Sequence, residues 1–558
     1  MQNGQWTAAA PETPSTLLRV GRFLLRPVVG RVLAWLVAVA FGVLCLRGSW
    51  VALDDPARGD GNGGHANVDF GGQWLMGAMV AQGHGRQLYN RVVQRELLRD
   101  ALPEADQDPD SKRSDCEWLM YWVMGRDDPE AARVVGGFAV PLAAADPLSA
   151  AALLAAAQEQ PPEALARAAA PQVGGALYPP VHALVYAPLG LLPPRPSYRL
   201  TQVLGVLLAL PIGWGLRRIS GGRISLPVAV ATAIAFPGFS NSTCLGQNAT
   251  LTLTILVWGW VFLAEGRQGL GGALWGLLIL KPVWLAAYFL VPLLSGRWRA
   301  CLAMAGTAAL LAALTLPVVG LHSWFDWLEV GKEGAELYKT DENWIHVSRD
   351  LLGIPRRWLL DFSLPADERD VHRPAPAVIG WGLWAAVVGA TVGVTLARRK
   401  QPPAAEGPPA AFLLLGAMFS CFHFMHYDVL LAALPVFLLF TDPWRYLAPL
   451  LRAGRGVLWR VLPARLAPYL DDRLPSREEH PGSAALWVAP ALVALLFSTK
   501  YVLPYVAPSS VTDLRAPWDT FCLLALWAWC GVLWLRQGAG ACDRKGAALA
   551  VALSHGPA

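Results

Sequence analysis

The chain has 558 residues, 54% of them hydrophobic and only 16% charged, with a mean hydropathy of +0.37. Apolar runs of bilayer-spanning length recur along it, so it reads as a polytopic membrane protein rather than a water-soluble enzyme. The net charge of +5 is modest, and its basic residues flank apolar spans instead of interleaving with exposed aromatics, which argues against a nucleic-acid partner.

Residues 1–27 are polar and then basic, with Arg19, Arg22 and Arg26 ahead of a span running from Arg31 to about Val51. The positive-inside rule places this tail in the cytoplasm. The segment is long for a removable signal peptide and lacks a small-residue cleavage site. Asp54, Asp55 and Asp60 follow in a Gly/Asp-rich outer linker, which reads as a solvated loop rather than a cation site.

Asp69 comes next, just ahead of a run in which Phe70, Trp74, Ala78 and Ala81 recur at helical spacing. This predicts an amphipathic helix lying on the outer membrane interface, with its apolar face down. Asp69 sits near its positive end, either as a simple cap or as a poised carboxylate. Gly83 and Gly85 terminate the helix, and Leu88-Tyr89 re-anchors the chain at the headgroups.

The hydrophilic stretch 100–133 and the Ala-rich 143–170 form an extended outer loop with soluble helices and no catalytic part. Tyr178-Pro179-Pro180-Val181-His182 and Tyr186 to Pro193 are too proline-rich for a long helix, so short broken helices at the outer surface are expected. Spans follow at about 198–216, 224–240 and 249–264, the last preceded by Gly246-Gln247-Asn248. Residues 269–294 carry basic residues at both ends and Lys281-Pro282 in the middle. That pattern conflicts with one crossing and suggests two half-length helices dipping in from the cytoplasmic side, with Lys281 near the tip.

A span at about 300–320 leads to an outer loop carrying Trp344, Asn343, His346, Ser348 and Arg349. Spans at about 377–396 and 411–425 precede His423-Phe424-Met425-His426-Tyr427-Asp428. A basic loop from Arg445 to Arg477 and two last spans leave Arg544 and Lys545 inside. The expected fold is an all-α polytopic membrane protein with about ten spans, a half-helix pair and outer-face amphipathic helices. Its parts are a tail (1–27), a transmembrane domain (28–442, with 100–170 as the extended loop), a basic loop (443–482), a transmembrane pair (483–540) and a second tail (541–558). The eight cysteines include no CxxC pair, so no zinc site or disulfide framework is indicated.

Four blocks in this order resemble glycosyltransferase family 87: Asp69-Phe70 with its amphipathic segment closing at Leu88-Tyr89, Tyr178 to Pro193, Gly246-Gln247 to Lys281-Pro282, and His426-Tyr427. The resemblance covers roughly residues 30–440. It implies a GT-C-type architecture in the inner or plasma membrane, with an active site on the outer face; no metal-ligand motif appears in the sequence and no cofactor is indicated. The implied donor is a polyprenyl-phosphate sugar, with mannose as the hexose by family analogy, and the acceptor a lipid or glycan. Asp69 carries over as the general base of an inverting displacement. His426 carries over as a group orienting the acceptor or touching the phosphate, although Phe424-Met425 departs from the expected Ser-Trp-like pair; an interfacial His in a loop hydrogen bond is the plainer reading.

The remaining candidates have two readings each. Lys281 either meets the donor's phosphate or snorkels to the cytoplasmic headgroups. Gln247 and Asn248 either bind sugar hydroxyls or cap the next helix. Tyr178, His182, Asn343 and Tyr427 are further substrate-binding candidates, and Arg349 is a phosphate candidate or an ordinary loop arginine. Two rival functions stay open: a transporter or flippase of lipid-linked glycans, which requires intramembrane charge pairs and related halves, and a polymerase or ligase leaning on outer-loop arginines.

Overall fold

The computed structural model describes residues 27–54, 70–91, 93–94, 97, 101, 173, 175–340, 342–364, 368–369, 374–400, 404–442, 487–502 and 517–554. Asp55, Asp60, Asp69, the 102–172 insertion and the basic loop 443–486 lie outside them. The described residues are helical apart from turns and two isolated bridges, as backbone groups in lipid require.

Five helices are long and apolar enough to cross a bilayer: Val28–Val51, Pro194–Ile219, Trp298–Val319, Ala375–Ala397 and Trp518–Arg536. Their apolar side chains stand largely exposed, among them Val32, Leu36, Leu302, Leu310, Val378 and Trp381, a surface suited to lipid rather than water. Shorter apolar helices fill the interior, including Ala249–Ala264 and Pro408–Ser420, whose thirteen residues are all buried. The described residues are thus all-α, and their several apolar helices make the chain a multi-pass membrane protein. Five described helices meet the length of a full span, and the other apolar helices are shorter, at 10–17 residues.

Arginine contacts mark one end of the bundle. Arg218 forms a bidentate pair with Glu265 at 2.5 and 3.0 Å, Arg223 meets Glu406 at 2.5 Å, and Arg297 donates to the Leu263 carbonyl at 2.8 Å. These contacts gather the loops after Ile219, after Ala264 and before Trp298 at the same end.

The expected hairpin around Lys281 is visible in helix directions. We number helices α1 (Ala249–Ala264), α2 (Gln268–Gly276), α3 (Pro282–Leu294) and α4 (Trp298–Val319). Helix α2 runs antiparallel to α1: Gly271 faces Leu263, and the Trp275 ring faces Gly259. It runs parallel to α4: Gly272 faces Ala300, and Gly276 faces Met304 and Thr307. Between two parallel helices α3 must return, so α2 and α3 enter and leave by the basic end. Lys281 stands at the apex, after the 3-10 turn Leu277–Leu280. Thirteen residues of helix put it roughly 20 Å from that end.

The helix expected after Asp69 forms as α5 (Gly71–Ala81), but its setting differs. It is buried from Gly71 to Met79 instead of lying on an interface. It packs along α6 (Pro180–Gly190) so closely that a Cβ on Gly77 would stand 2.2 Å from the Tyr186 carbonyl oxygen, and one on Gly190 2.2 Å from the Ala78 nitrogen. Glycine at both positions makes the approach possible. Leu88 and Tyr89 are likewise buried rather than anchored at headgroups, and the Tyr89 hydroxyl donates to the Tyr178 carbonyl at 2.5 Å. Amphipathic spacing specified the helix; the covering elements turned its polar side into a second packed face.

Candidate functional site

Pro282 at the first position of α3 needs no hydrogen-bond donor and cannot continue the preceding turn, so the chain breaks at Lys281 with φ −137° and ψ 84°. The break aims the lysine across the bundle. Its Nζ lies 2.7 Å from both carboxylate oxygens of Asp428. Asp428 opens the 3-10 turn Asp428–Ala432, and its Oδ2 also accepts the Met425 N–H at 3.1 Å. The Tyr427 ring lies 5.0 Å from Nζ, within cation–π range. The carboxylate side chain is 1% exposed and the lysine 14%. A charge pair at such depth is costly and marks a functional region by default.

A neutral polar network lies beside it. The His182 ring stacks between Tyr178 and Tyr186 at 4.2 and 4.4 Å. Its Nε2 lies 3.1 Å from Oε1 of Gln73, whose Nε2 donates to the Gly246 carbonyl at 3.0 Å. The Tyr178 hydroxyl donates to Oε1 of Gln247 at 2.9 Å. Gly246 holds φ +62°, and a Cβ there would stand 2.8 Å from the Phe70 Cβ, so only glycine lets this turn close against the start of α5. Burial pushes the His182 pKa down to about 3; a hydrogen bond with the Leu280 backbone opposes this and the Lys281 charge adds to it. His182 is therefore a neutral imidazole near the lysine apex. Asn248 precedes α1; its side chain makes no cap hydrogen bond, and its buried Oδ1 has no donor among the described residues.

The third group is a two-segment ladder. Ser348 bridges Met425, the Arg349 N–H donates to the Phe424 carbonyl at 2.9 Å, and the His426 N–H donates to the Val347 carbonyl at 3.0 Å. His426 is half-buried, with its ring edge-on to Tyr427. The Arg349 guanidinium is engaged at 3.0 Å by Asp519, at the start of the last helix, and by the His346 and Ser348 carbonyls. Asn343 lies in the helix Glu342–Val347, and its side chain is outside the described residues.

The structure thus joins Tyr178, His182 and Gln247 in one network. Lys281 and Tyr427 form an adjacent group, and Arg349 and His426 share the ladder. Sequence reasoning did not single out Gln73, Asp428, His423 or Asp350. His423 and Asp428 lay in the block His423 to Asp428 without a role of their own, and Gln73 was one polar residue among apolar ones. His423 stacks on Tyr338 at 3.4 Å, with Nδ1 3.7 Å from Asp350 Oδ2. Burial holds its pKa well below 6.5, and burial raises that of Asp350 despite hydrogen bonds from Ser348 and Gly353.

The sequence model of glycosyltransferase family 87 matches residues 176–424. That segment holds Tyr178, His182, Gln247 and Lys281 and stops just short of His426. Two α-(1→3)-arabinofuranosyltransferases of Mycobacterium tuberculosis, from strains CDC 1551 / Oshkosh and ATCC 25618 / H37Rv, are each 32% identical to the chain over 152 residues. The alignment takes in 26% of this chain and 32% of each relative, so the chain spans about a third of the length of these curated relatives. No solved structure matches. The chain is thus a multi-pass membrane protein similar to glycosyltransferase family 87 over residues 176–424.

Proposed function

We propose that this protein transfers a sugar from a polyprenyl-phosphate donor to a lipid or glycan acceptor, with inversion, at the outer face of the plasma or inner membrane. The observation that carries this reading is Lys281, a cation held deep in the bundle beside the neutral Tyr178–His182–Gln247 network. A lipid-linked phosphosugar has matching parts: one anionic group at membrane depth and a ring of neutral hydroxyls.

In the reaction the acceptor hydroxyl oxygen bonds to the anomeric carbon as the bond from that carbon to the phosphate oxygen breaks. The bonding pair leaves with the phosphate, and the hydroxyl proton passes to a base. Asp69 is that base in this proposal. It directly precedes Phe70, which is buried against Gly246 and Tyr198. Lys281, flanked by Tyr427, meets the leaving phosphate. Tyr178, Gln247 and Asn248 face sugar hydroxyls, the fully buried His182 supports the Tyr178 ring from behind, His426 orients the acceptor, and Asn343 and Arg349 lie at its rim.

The resemblance favours a hexose, with mannose first. The arabinofuranosyltransferase relatives favour a second reading, a pentofuranose. Membranes containing the parent or Asp69→Asn at matched expression are therefore given radiolabelled polyprenyl-phosphate mannose and polyprenyl-phosphate arabinofuranose. Transfer from one donor, with a loss of about a hundredfold or more in the variant, supports the transferase and its base. Equal transfer by both proteins removes Asp69 from the mechanism. Transfer from neither donor removes mannose and arabinofuranose, and a panel of other lipid-linked sugars then precedes any retreat to the transporter.

A further inference from the structure

Asp428 belongs to none of the roles above, yet it is the most buried charged partner in the site. Its carboxylate is 1% exposed, whereas the lysine it holds is 14% exposed. Lys281 is therefore the accessible member of the pair, and Asp428 lies behind it. The aspartate is also fixed independently of the lysine: it opens the turn Asp428–Ala432 and accepts the Met425 N–H. Lys281, by contrast, sits on a flexible four-carbon stem at a helix break. An ammonium has three N–H donors, and the two carboxylate oxygens bracket Nζ at equal distances of 2.7 Å. That leaves one donor for an oxygen outside the pair.

We infer that Asp428 is a positioning residue of the donor site, acting through Lys281 by holding its ammonium at the apex for the donor's phosphate. This rests on the phosphate role proposed for Lys281. The competing role is purely architectural: the pair would merely fasten the apex of the α2–α3 hairpin to the turn at Asp428. The two differ in whether the side on which the cation stands matters. They differ also in whether the loss falls on the donor alone.

The test uses full-length protein in nanodiscs, with donor and acceptor KM, kcat and thermal midpoint measured for the parent, Asp428→Asn, Asp428→Glu and the exchanged pair Lys281→Asp/Asp428→Lys. Positioning predicts that Asp428→Asn raises donor KM about tenfold or more with acceptor KM unchanged, and that Asp428→Glu stays within about threefold of the parent. It also predicts that the exchanged pair folds with a parental midpoint yet shows the same donor defect as Asp428→Asn. An exchanged pair with parental donor KM overturns the inference, as does Asp428→Asn with parental donor KM. Where Asp428→Asn does not fold, the exchanged pair and the Glu variant decide by the same criterion. A parent that transfers from no polyprenyl-phosphate donor sinks the Lys281 reading itself, whereas an active parent with indifferent variants sinks only the role of Asp428.

Discussion

The Tyr178 hydroxyl donates to Oε1 of Gln247 at 2.9 Å, joining the chain before one short helix to the turn before another, 69 residues later. The Tyr178 ring also stacks on His182, so one side chain supports the network in two separable ways. Tyr178→Phe keeps the stack and removes the hydrogen bond. A net hydrogen bond contributes about 1 kcal/mol, so a three- to tenfold rise in KM for the sugar substrate is expected, with kcat little changed. Steady-state transfer kinetics check this, and a fall in kcat at constant KM would count against a binding role.

His182 ties the site to pH. Burial lowers its pKa from 6.5 to about 3 in the folded protein. Below about 6.5 the unfolded chain takes up a proton that the folded chain refuses, so stability is lost as pH falls from 6.5 towards 3, by at most roughly 1.4 kcal/mol per unit. His182→Gln does not titrate, so its thermal midpoint should fall less steeply between about pH 6.5 and 4.5. Parallel slopes for parent and variant would show that other groups carry the acid sensitivity.

Arg349 and Asp519 join the ladder to the last helix at 3.0 Å, and each side chain is only 11% exposed. The Thr520 hydroxyl reinforces the join by donating to the Arg349 carbonyl at 2.9 Å. Asp519→Asn leaves a buried guanidinium short of its counter-ion, and a destabilisation of about 3 kcal/mol is expected. The double change Arg349→Met/Asp519→Leu should restore much of that loss, because a well-packed apolar pair can replace a buried ion pair. Chemical denaturation in detergent compares the variants; a double variant no better than the single one would refute this account.

The hairpin makes a topological prediction. With α2 and α3 entering and leaving by one end, single cysteines at Arg267 and Arg299 in a cysteine-free background should both react with a membrane-impermeant maleimide from the same, basic side. A cysteine at the exposed Phe422 should react only from the other side. Labelling of Arg267→Cys and Arg299→Cys from opposite sides would mean a single kinked crossing.

Much of this organisation is legible in the chain. Pro282 after Lys281, with arginines at both ends of the run, announces a broken helix pair, because proline removes a donor and basic residues stay on one side. The run Ala249–Ala264 announces a helix by its length and uninterrupted apolarity. The helix from Gly71 to Ala81 forms as its spacing requires, but it is packed by protein on both sides rather than exposing a polar face. Helical spacing reports which side chains share a face, whereas what lies against that face depends on α6, about 100 residues later in the chain.

The sequence by itself determined the membrane class, the helix breaks and the chemical types of the candidate side chains, since these follow from local hydropathy, proline geometry and charge. Only the tertiary structure decided which of them meet. Lys281 finds Asp428 across 147 positions, Tyr178 finds Gln247, and Arg349 is claimed by Asp519. A charge or hydroxyl buried in an apolar bundle must be paired, but its partner is chosen by the packing of helices rather than by neighbours along the chain.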